Sequence, residues 1–318
     1  MTHFPERPLR LGTRGSPMAL AQAGHVAARL RELDAGLRIE TVPVAAEADT
    51  WQGDLSRLGG RKGLFVKAVD EQLANGEVDA VVHCLKDVPG DRPLPAGLIF
   101  AAMLPRADVR DVLLVPEGSK VTSLAGLPAG SVLATSSVRR TAQILALRPD
   151  LTVVAVRGAV GSRLAKLDGA VDGLTADGLV LARAGLERLG LAGRIRQEFA
   201  VNELLPAVGA GVLVLECRRD DTAVGELLAR LNHPKTHGEA TAERAMLHGL
   251  RGHCNSPVAG YCVTGHDGLL SLRGSVFSPD GTQFVRAHLR AAESDDPATL
   301  GSRVCADLLR QGARAIIG

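Results

Sequence analysis

Short apolar runs alternate with amphipathic stretches through the first two thirds of the chain. That alternation restricts the fold to α/β architectures. "LRLGTR" (9–14), "IETVPV" (39–44), "VDAVVHC" (78–84) and "LIFAAM" (98–103) read as strands. Between them, 16–33 reads as a helix with Ser16 as N-cap and Pro17 in the first helical position. Residues 64–76 read as a second helix, with Phe65, Val69 and Leu73 on one stripe and Asn75-Gly76 as its stop. The nearly unbroken apolar run of 78–84 predicts a strand buried on both faces.

The same rhythm then restarts. Strands are expected at 111–116, 131–135, 152–158 and 178–182, and helices at 136–148, 160–169 and 185–190. Two βα-rich units of this kind predict two lobes, with hinges at 105–111 and 201–211. The strand "GVLVLEC" (211–217) is expected to return to the first lobe, which makes that lobe discontinuous. Beyond residue 222 the pattern changes. Thr236 and Glu239 read as a capping box opening a helix over 237–251. Three alternating runs follow, separated by Asp267-Gly268 and Asp280-Gly281, which are hairpin signals. A last helix is expected over 297–317. The expected division is 1–104 with 203–221, then 105–202, then a small α+β domain over 222–318.

Composition excludes several function classes. Aromatics make up 3% of the 318 residues, too few for base-stacking platforms. Lys+Arg (37) and Asp+Glu (35) nearly cancel, so nucleic acid is not an expected partner. No run reaches the ~18 apolar residues of a membrane span. The N-terminus lacks an apolar signal region, so the expected location is the cytoplasm. Cys84, Cys217, Cys254, Cys262 and Cys305 form neither a C-x-x-C pair nor a zinc pattern, so no metal is expected.

Four polar clusters fall at strand-to-helix junctions, the edge where α/β sites are built. They are "GTRGSP" with Arg14 and Ser16, and "HCLKDVP" with Lys86 and Asp87. Next come "ATSSVRR" with Thr135, Ser136, Ser137, Arg139 and Arg140, and "VRGAVGSR" with Arg157, Gly158 and Arg163. One Arg-rich junction is commonly a solvated face. Several around one cleft predict a polyanion, either a polycarboxylate or a phosphate compound. Two Arg residues in the first turn of a helix are unfavourable until an anion meets them. Asp87 would repel an anionic ligand, unless part of that ligand becomes cationic during reaction. The alternative is a surface ion pair with Lys86 or an Arg. Cys254, in the polar loop "LRGHCNSPVAG", reads as an exposed thiol able to act as a nucleophile. His83 and Cys84 are strand neighbours that point to opposite faces. They are therefore not expected to act as a pair, and His83 is expected to be buried or to line a site.

With "GGRKGLFVK", "LARAGLERLGL", "LPAVGAG", "ECRRDD" and "TAERAML", these motifs occur in an order that resembles the porphobilinogen deaminase (hydroxymethylbilane synthase) family over roughly 9–317. The resemblance implies two hinged, periplasmic-binding-protein-like lobes with mixed sheets and a third domain carrying Cys254. It implies a dipyrromethane cofactor in thioether linkage to Cys254. Four porphobilinogen molecules would be added head to tail with loss of ammonia, and water would release the linear tetrapyrrole. Asp87 matches the family's catalytic acid. Arg14, Lys86, Lys62, Arg139, Arg140, Arg157 and Arg163 match its basic positions. Ser16, Thr135, Ser136, Ser137 and Gly158 complete the binding set. The resemblance also implies a monomer handing its product to uroporphyrinogen-III synthase. Cys84, Ala159 and Ala210 replace an expected Ser, Asn and Gln, and Arg61 is an insertion. "AAEADTWQGD" replaces a more regular T-x-G-D stretch, with Asp49 or Asp54 standing for its acid. These departures motivate two alternatives: a paralogue making another oligopyrrole, and a non-catalytic polycarboxylate binder.

Overall fold

The computed structural model describes residues 7–45, 64–253 and 255–317; the side chains of Leu64 and Phe65 lie outside the description. Along the chain come β1 (Leu9–Arg14), α1 (Pro17–Leu33), β2 (Ile39–Val44), α2 (Leu64–Ala74), β3 (Ala80–Cys84) and β4 (Leu98–Met103). Then follow β5 (Asp111–Leu114), β6 (Val132–Ala134), α3 (Val138–Leu147), β7 (Thr152–Val154), α4 (Val160–Leu167), β8 (Gly178–Ala182), α5 (Arg183–Arg188) and β9 (Gln197–Glu198). The remainder is β10 (Leu213–Arg218), α6 (Thr222–Ala229), α7 (Pro234–Gly249), β11 (Val258–Thr264), β12 (Leu270–Phe277), β13 (Phe284–Arg290), α8 (Pro297–Arg310) and α9 (Ala313–Ile317).

Two units pack separately: residues 1–106 with 211–238, and 107–210 with 239–318. In the first, a five-stranded sheet runs β2-β1-β3-β10-β4. β1 is parallel to both neighbours, and β10 is antiparallel to both of its own. The returning strand therefore lies inside the first sheet, next to β3. Side chains of β3 alternate: Ala80 and Val82 pack with Ala23, Val26 and Leu30 of α1, while Val81 packs with Val69 and Leu73 of α2. That double burial explains the unbroken apolar run in the sequence.

The second unit repeats the scheme. Its sheet runs β7-β6-β8-β5-β9, with β6 parallel to both neighbours and β5 antiparallel to β8 and β9. The same unit contains the antiparallel meander β11-β12-β13, covered by α8. Gly268 and Gly281 take φ of +80° and +72° at the two hairpin turns, as the Asp-Gly pairs predict.

Three local expectations are corrected. The strand expected over 152–158 stops at Val154 because Ser136 Oγ takes over the peptide groups of Val156, donating to its carbonyl and accepting from its N–H at 3.0 Å. The last helix is interrupted where Gly312 adopts φ +97°, the left-handed stop that separates α8 from α9. The capping box at Thr236 does not form. α7 starts at Pro234, His233 Nδ1 accepts from the Thr236 N–H at 3.3 Å, and Glu239 accepts from Thr264 N at 2.8 Å. A proline in the first helical position and an imidazole acceptor before it begin the helix earlier than the hydroxyl would.

Candidate active site

In the first unit the expected residues gather at the carboxyl ends of β1 and β3. A pocket of about 100 Å³ is lined there by Arg14, Ser16, Gln22, His83, Cys84 and Asp87, among others. Arg14 is the last residue of β1. Ser16 caps α1, its Oγ accepting from Ala19 N at 3.2 Å. Cys84 ends β3 and faces α1, where Gln22 Nε2 approaches its Sγ at 3.0 Å. His83 faces the other way, towards α2, and is buried. Lys86 and Asp87 lie in the 3-10 turn Leu85–Asp87 and are half-buried. That turn is pinned by Leu85 N to Val212 O at 3.0 Å and Val88 N to Leu85 O at 3.1 Å. Among the described residues, no ion pair involves Lys86 or Asp87, so the surface-pair alternative is not what this geometry shows.

In the second unit the hydroxyl and Arg clusters gather at the ends of β6 and β7. Ser137 caps α3, accepting from Arg140 N at 3.4 Å, and Thr135 accepts from Ser137 N at 3.3 Å. Arg139 and Arg140 were expected to wait for a ligand anion. The structure supplies one from the chain itself: Arg139 Nη2 meets Asp111 Oδ2 at 2.6 Å, and Arg140 Nη2 meets Asp111 Oδ1 at 2.6 Å. Arg139 also donates to Leu205 O at 2.6 Å and Arg140 to Val180 O at 3.0 Å. Both guanidiniums are buried, so in this conformation they anchor the first turn of α3 to β5. Burial alone would raise the Asp111 carboxyl, but the two Arg charges and their hydrogen bonds hold it well below the usual 3.8.

Asp111→Ala is expected to destabilise the fold by about 3–5 kcal/mol, because two buried cations would face each other without their anion. Urea unfolding of the variant checks this. The depressed carboxyl also fixes the sign of the acid response: its stability contribution is present above pH 3.8 and is lost as pH falls through the folded value.

Arg157 and Arg163 are half-buried beside this anchor. Arg163 Nε donates to Gly158 O at 2.7 Å. Gly158 has φ +108°, which a residue with a Cβ adopts only under strain. Burial and the like charges of Arg140 and Arg157 lower the Arg163 guanidinium to about 10. A cation weakened by neighbouring cations gains most from an incoming carboxylate. α4 begins at Val160 with Ala159 in the capping position, where no side chain accepts from the helix N-terminus.

Lys62, Arg61, Asp49, Asp54 and Cys254 lie outside the described residues. Sequence reasoning missed Asp111 as the partner of both arginines. Its only local signal is an acid at the start of a buried strand. The burial of Asp70 and Glu216 beside His83 was also missed.

Comparison with known proteins gives two family matches. The profile described as "Porphobilinogen deaminase, dipyromethane cofactor binding domain" covers residues 9–226, and "Porphobilinogen deaminase, C-terminal domain" covers 238–310. The chain is 51% identical over 309 residues to "Porphobilinogen deaminase 2" of Streptomyces coelicolor, covering 97% of this chain and 96% of that one. Among solved structures, a periplasmic sulfonate-binding protein from Methylobacillus flagellatus is similar at 17% identity and TM-score 0.39, covering 76% of this chain and 67% of that one. A periplasmic binding protein of Salmonella typhimurium is similar at 14% identity and TM-score 0.41, covering 71% and 91%.

Proposed function

The chain belongs to the porphobilinogen deaminase family, and from that premise we propose that it is a hydroxymethylbilane synthase, a transferase that joins four porphobilinogen molecules. In each addition a C–C bond forms between the aminomethyl carbon of one pyrrole and the free α-carbon of the next. The C–N bond breaks, ammonia leaves, and the ring whose free α-carbon attacks loses the proton from that carbon. Positive charge therefore develops on pyrrole nitrogens while the side chains stay anionic.

The observation that carries the reading is the placement of Asp87 in the same pocket as Arg14 at the ends of β1 and β3. Asp87 supplies the carboxylate that accepts hydrogen bonds from pyrrole N–H groups as they become cationic. Arg14 and Lys86 supply the cations for acetate and propionate groups and for the site of deamination. Arg157, Arg163 and the hydroxyls of Ser16, Thr135 and Ser137 hold further carboxylates, while Ser136, whose hydroxyl donates to Val156 O, shapes the segment after β7. Arg139 and Arg140 contribute through the anchor they form with Asp111, and Lys62 adds a further cation.

The family's dipyrromethane fits these residues, because the half-buried, mutually repelling Arg157 and Arg163 favour a group bearing several carboxylates. When bound through Cys254, the group supplies the nucleophilic α-carbon that primes the chain. Among the described residues no helix is long and apolar enough to cross a membrane. We further propose that the enzyme works as a cytoplasmic monomer whose product passes to uroporphyrinogen-III synthase.

Intact mass of the purified protein tests the assignment. The expected mass exceeds that of the sequence by one dipyrromethane, and an aldehyde reagent for pyrroles reddens the sample. An unmodified mass from cells supplied with porphobilinogen overturns the assignment. Ala159 and Ala210 keep a different product length as the second reading; a product other than four pyrroles by mass spectrometry would establish it.

A further inference from the structure

Beneath the pocket lies a charged group that the scheme above does not use. His83, Asp70 and Glu216 are 4%, 6% and 0% exposed, and each places an imidazole nitrogen or carboxylate oxygen within 4.8 Å of the others. Register explains the meeting. Val214 pairs with His83 and Glu216 with Val81 across β10 and β3, so Glu216 and His83 are diagonal neighbours on one face. α2 covers that face and delivers Asp70, whose Oδ1 lies 3.0 Å from His83 Nε2.

Two carboxylates buried this close repel each other, and burying either without a counter-charge is costly. Within the group only His83 can become a cation. Burial alone would lower its imidazole; the hydrogen bond to Asp70 and the charges of Glu216, Asp70 and Asp87 outweigh that and raise it above 6.5. Two residues beyond Glu216 on the same face of β10, Arg218 donates to Leu73 O at 2.8 Å and Val78 O at 2.7 Å and pairs with Asp221 at 2.9 Å. Lys67 and Glu71 of α2 pair with each other in solvent, at 3.5 Å. α1 presents the neutral Gln22 to Cys84 on the opposite face of β3. Arg14 of β1 lines the pocket above, and Lys86 lies in the turn beyond.

We propose that His83 is a positioning residue that stays protonated at neutral pH, pairs with Asp70 beside Glu216, and so holds the end of β3 and the turn that presents Asp87. The inference rests on the role of Asp87 proposed above. Stability linked to this proton is fully present below pH 6.5 and is lost as pH rises through the raised value. Turnover falls on the same alkaline side, because the deprotonated ring no longer offsets the Asp70 carboxylate it bonds beneath the reacting centre.

The test has a spectroscopic arm and a kinetic arm. Long-range proton–nitrogen NMR of the 15N-labelled holoenzyme at pH 7, with the His83 signals identified by their loss in His83→Gln, should show both ring nitrogens protonated. A neutral tautomer overturns the proposal, and this arm does not depend on turnover. In the kinetic arm, His83→Gln should lower kcat about 10- to 100-fold with KM little changed, and should abolish the alkaline limb of the kcat profile. Asp70→Asn, which keeps the imidazole but removes its anion, should move that limb to lower pH; it carries the kinetic test if His83→Gln does not fold. A limb unmoved in Asp70→Asn overturns the proposal. So does a stoichiometric divalent metal in the purified protein that His83→Gln loses, since the central charge would then be the metal's.

Discussion

Asp87→Ala is expected to cut kcat by about 10²–10³-fold, the scale of removing one preorganised electrostatic group from a reacting centre. The loss should fall on kcat more than on KM. The pyrrole nitrogens carry full positive character only in the reacting state, so the carboxylate acts chiefly there. Thermal unfolding should be nearly unchanged. The side chain is half-buried, it joins no ion pair among the described residues, and the turn is held by the backbone bonds of Leu85 and Val88. Asp87→Asn keeps the size and loses the charge, so it should be almost as slow as Ala. A near-normal kcat in either variant, with the fold intact by circular dichroism, removes Asp87 from the assigned role.

What the sequence made legible follows from the range of the forces involved. Strand and helix periodicity is local, so the βα rhythm, the return of 211–217 to the first sheet and the Asp-Gly hairpins could be read directly. The junction motifs were legible for the same reason: Arg14, Ser16 and Asp87 each sit at a strand end or helix start, and the parallel strands β1 and β3 bring those ends together. Long-range charge pairing was not legible. The two arginines of "SSVRR" signalled a missing anion, yet nothing near them indicated that Asp111 would supply it. Glu216 reads as a polar interruption in "GVLVLEC". Its proximity to His83 depends on the register between β10 and β3, which periodicity does not specify. Thr236 and Glu239 had the spacing of a capping box, but the β11 residue Thr264 took the Glu239 carboxylate. In each case a partner distant in sequence prevailed over a local signal.

Cys254→Ser is expected to leave the protein without covalent dipyrromethane and with product formation at background. The other cysteines narrow the choice. Cys217, Cys262 and Cys305 are buried. Burial pushes the Cys217 thiol up to about 11 and raises that of Cys305. A thiol that resists ionisation is a poor nucleophile. Cys84 is the serious rival, because it is half-buried and lines the pocket with Asp87. Its sulfur, however, is bonded to Gln22 at the end of a strand packed between two helices. The described residues on either side of position 254 are polar and bonded to one another. His253 N donates to Ser256 Oγ at 3.0 Å, and Asn255 N donates to His253 Nδ1 at 3.2 Å. Cys84→Ser should therefore keep the mass increment and the colour reaction, while Cys254→Ser loses both. The reverse pattern in intact-mass spectra would move the attachment point to Cys84 and require a different path for the growing chain.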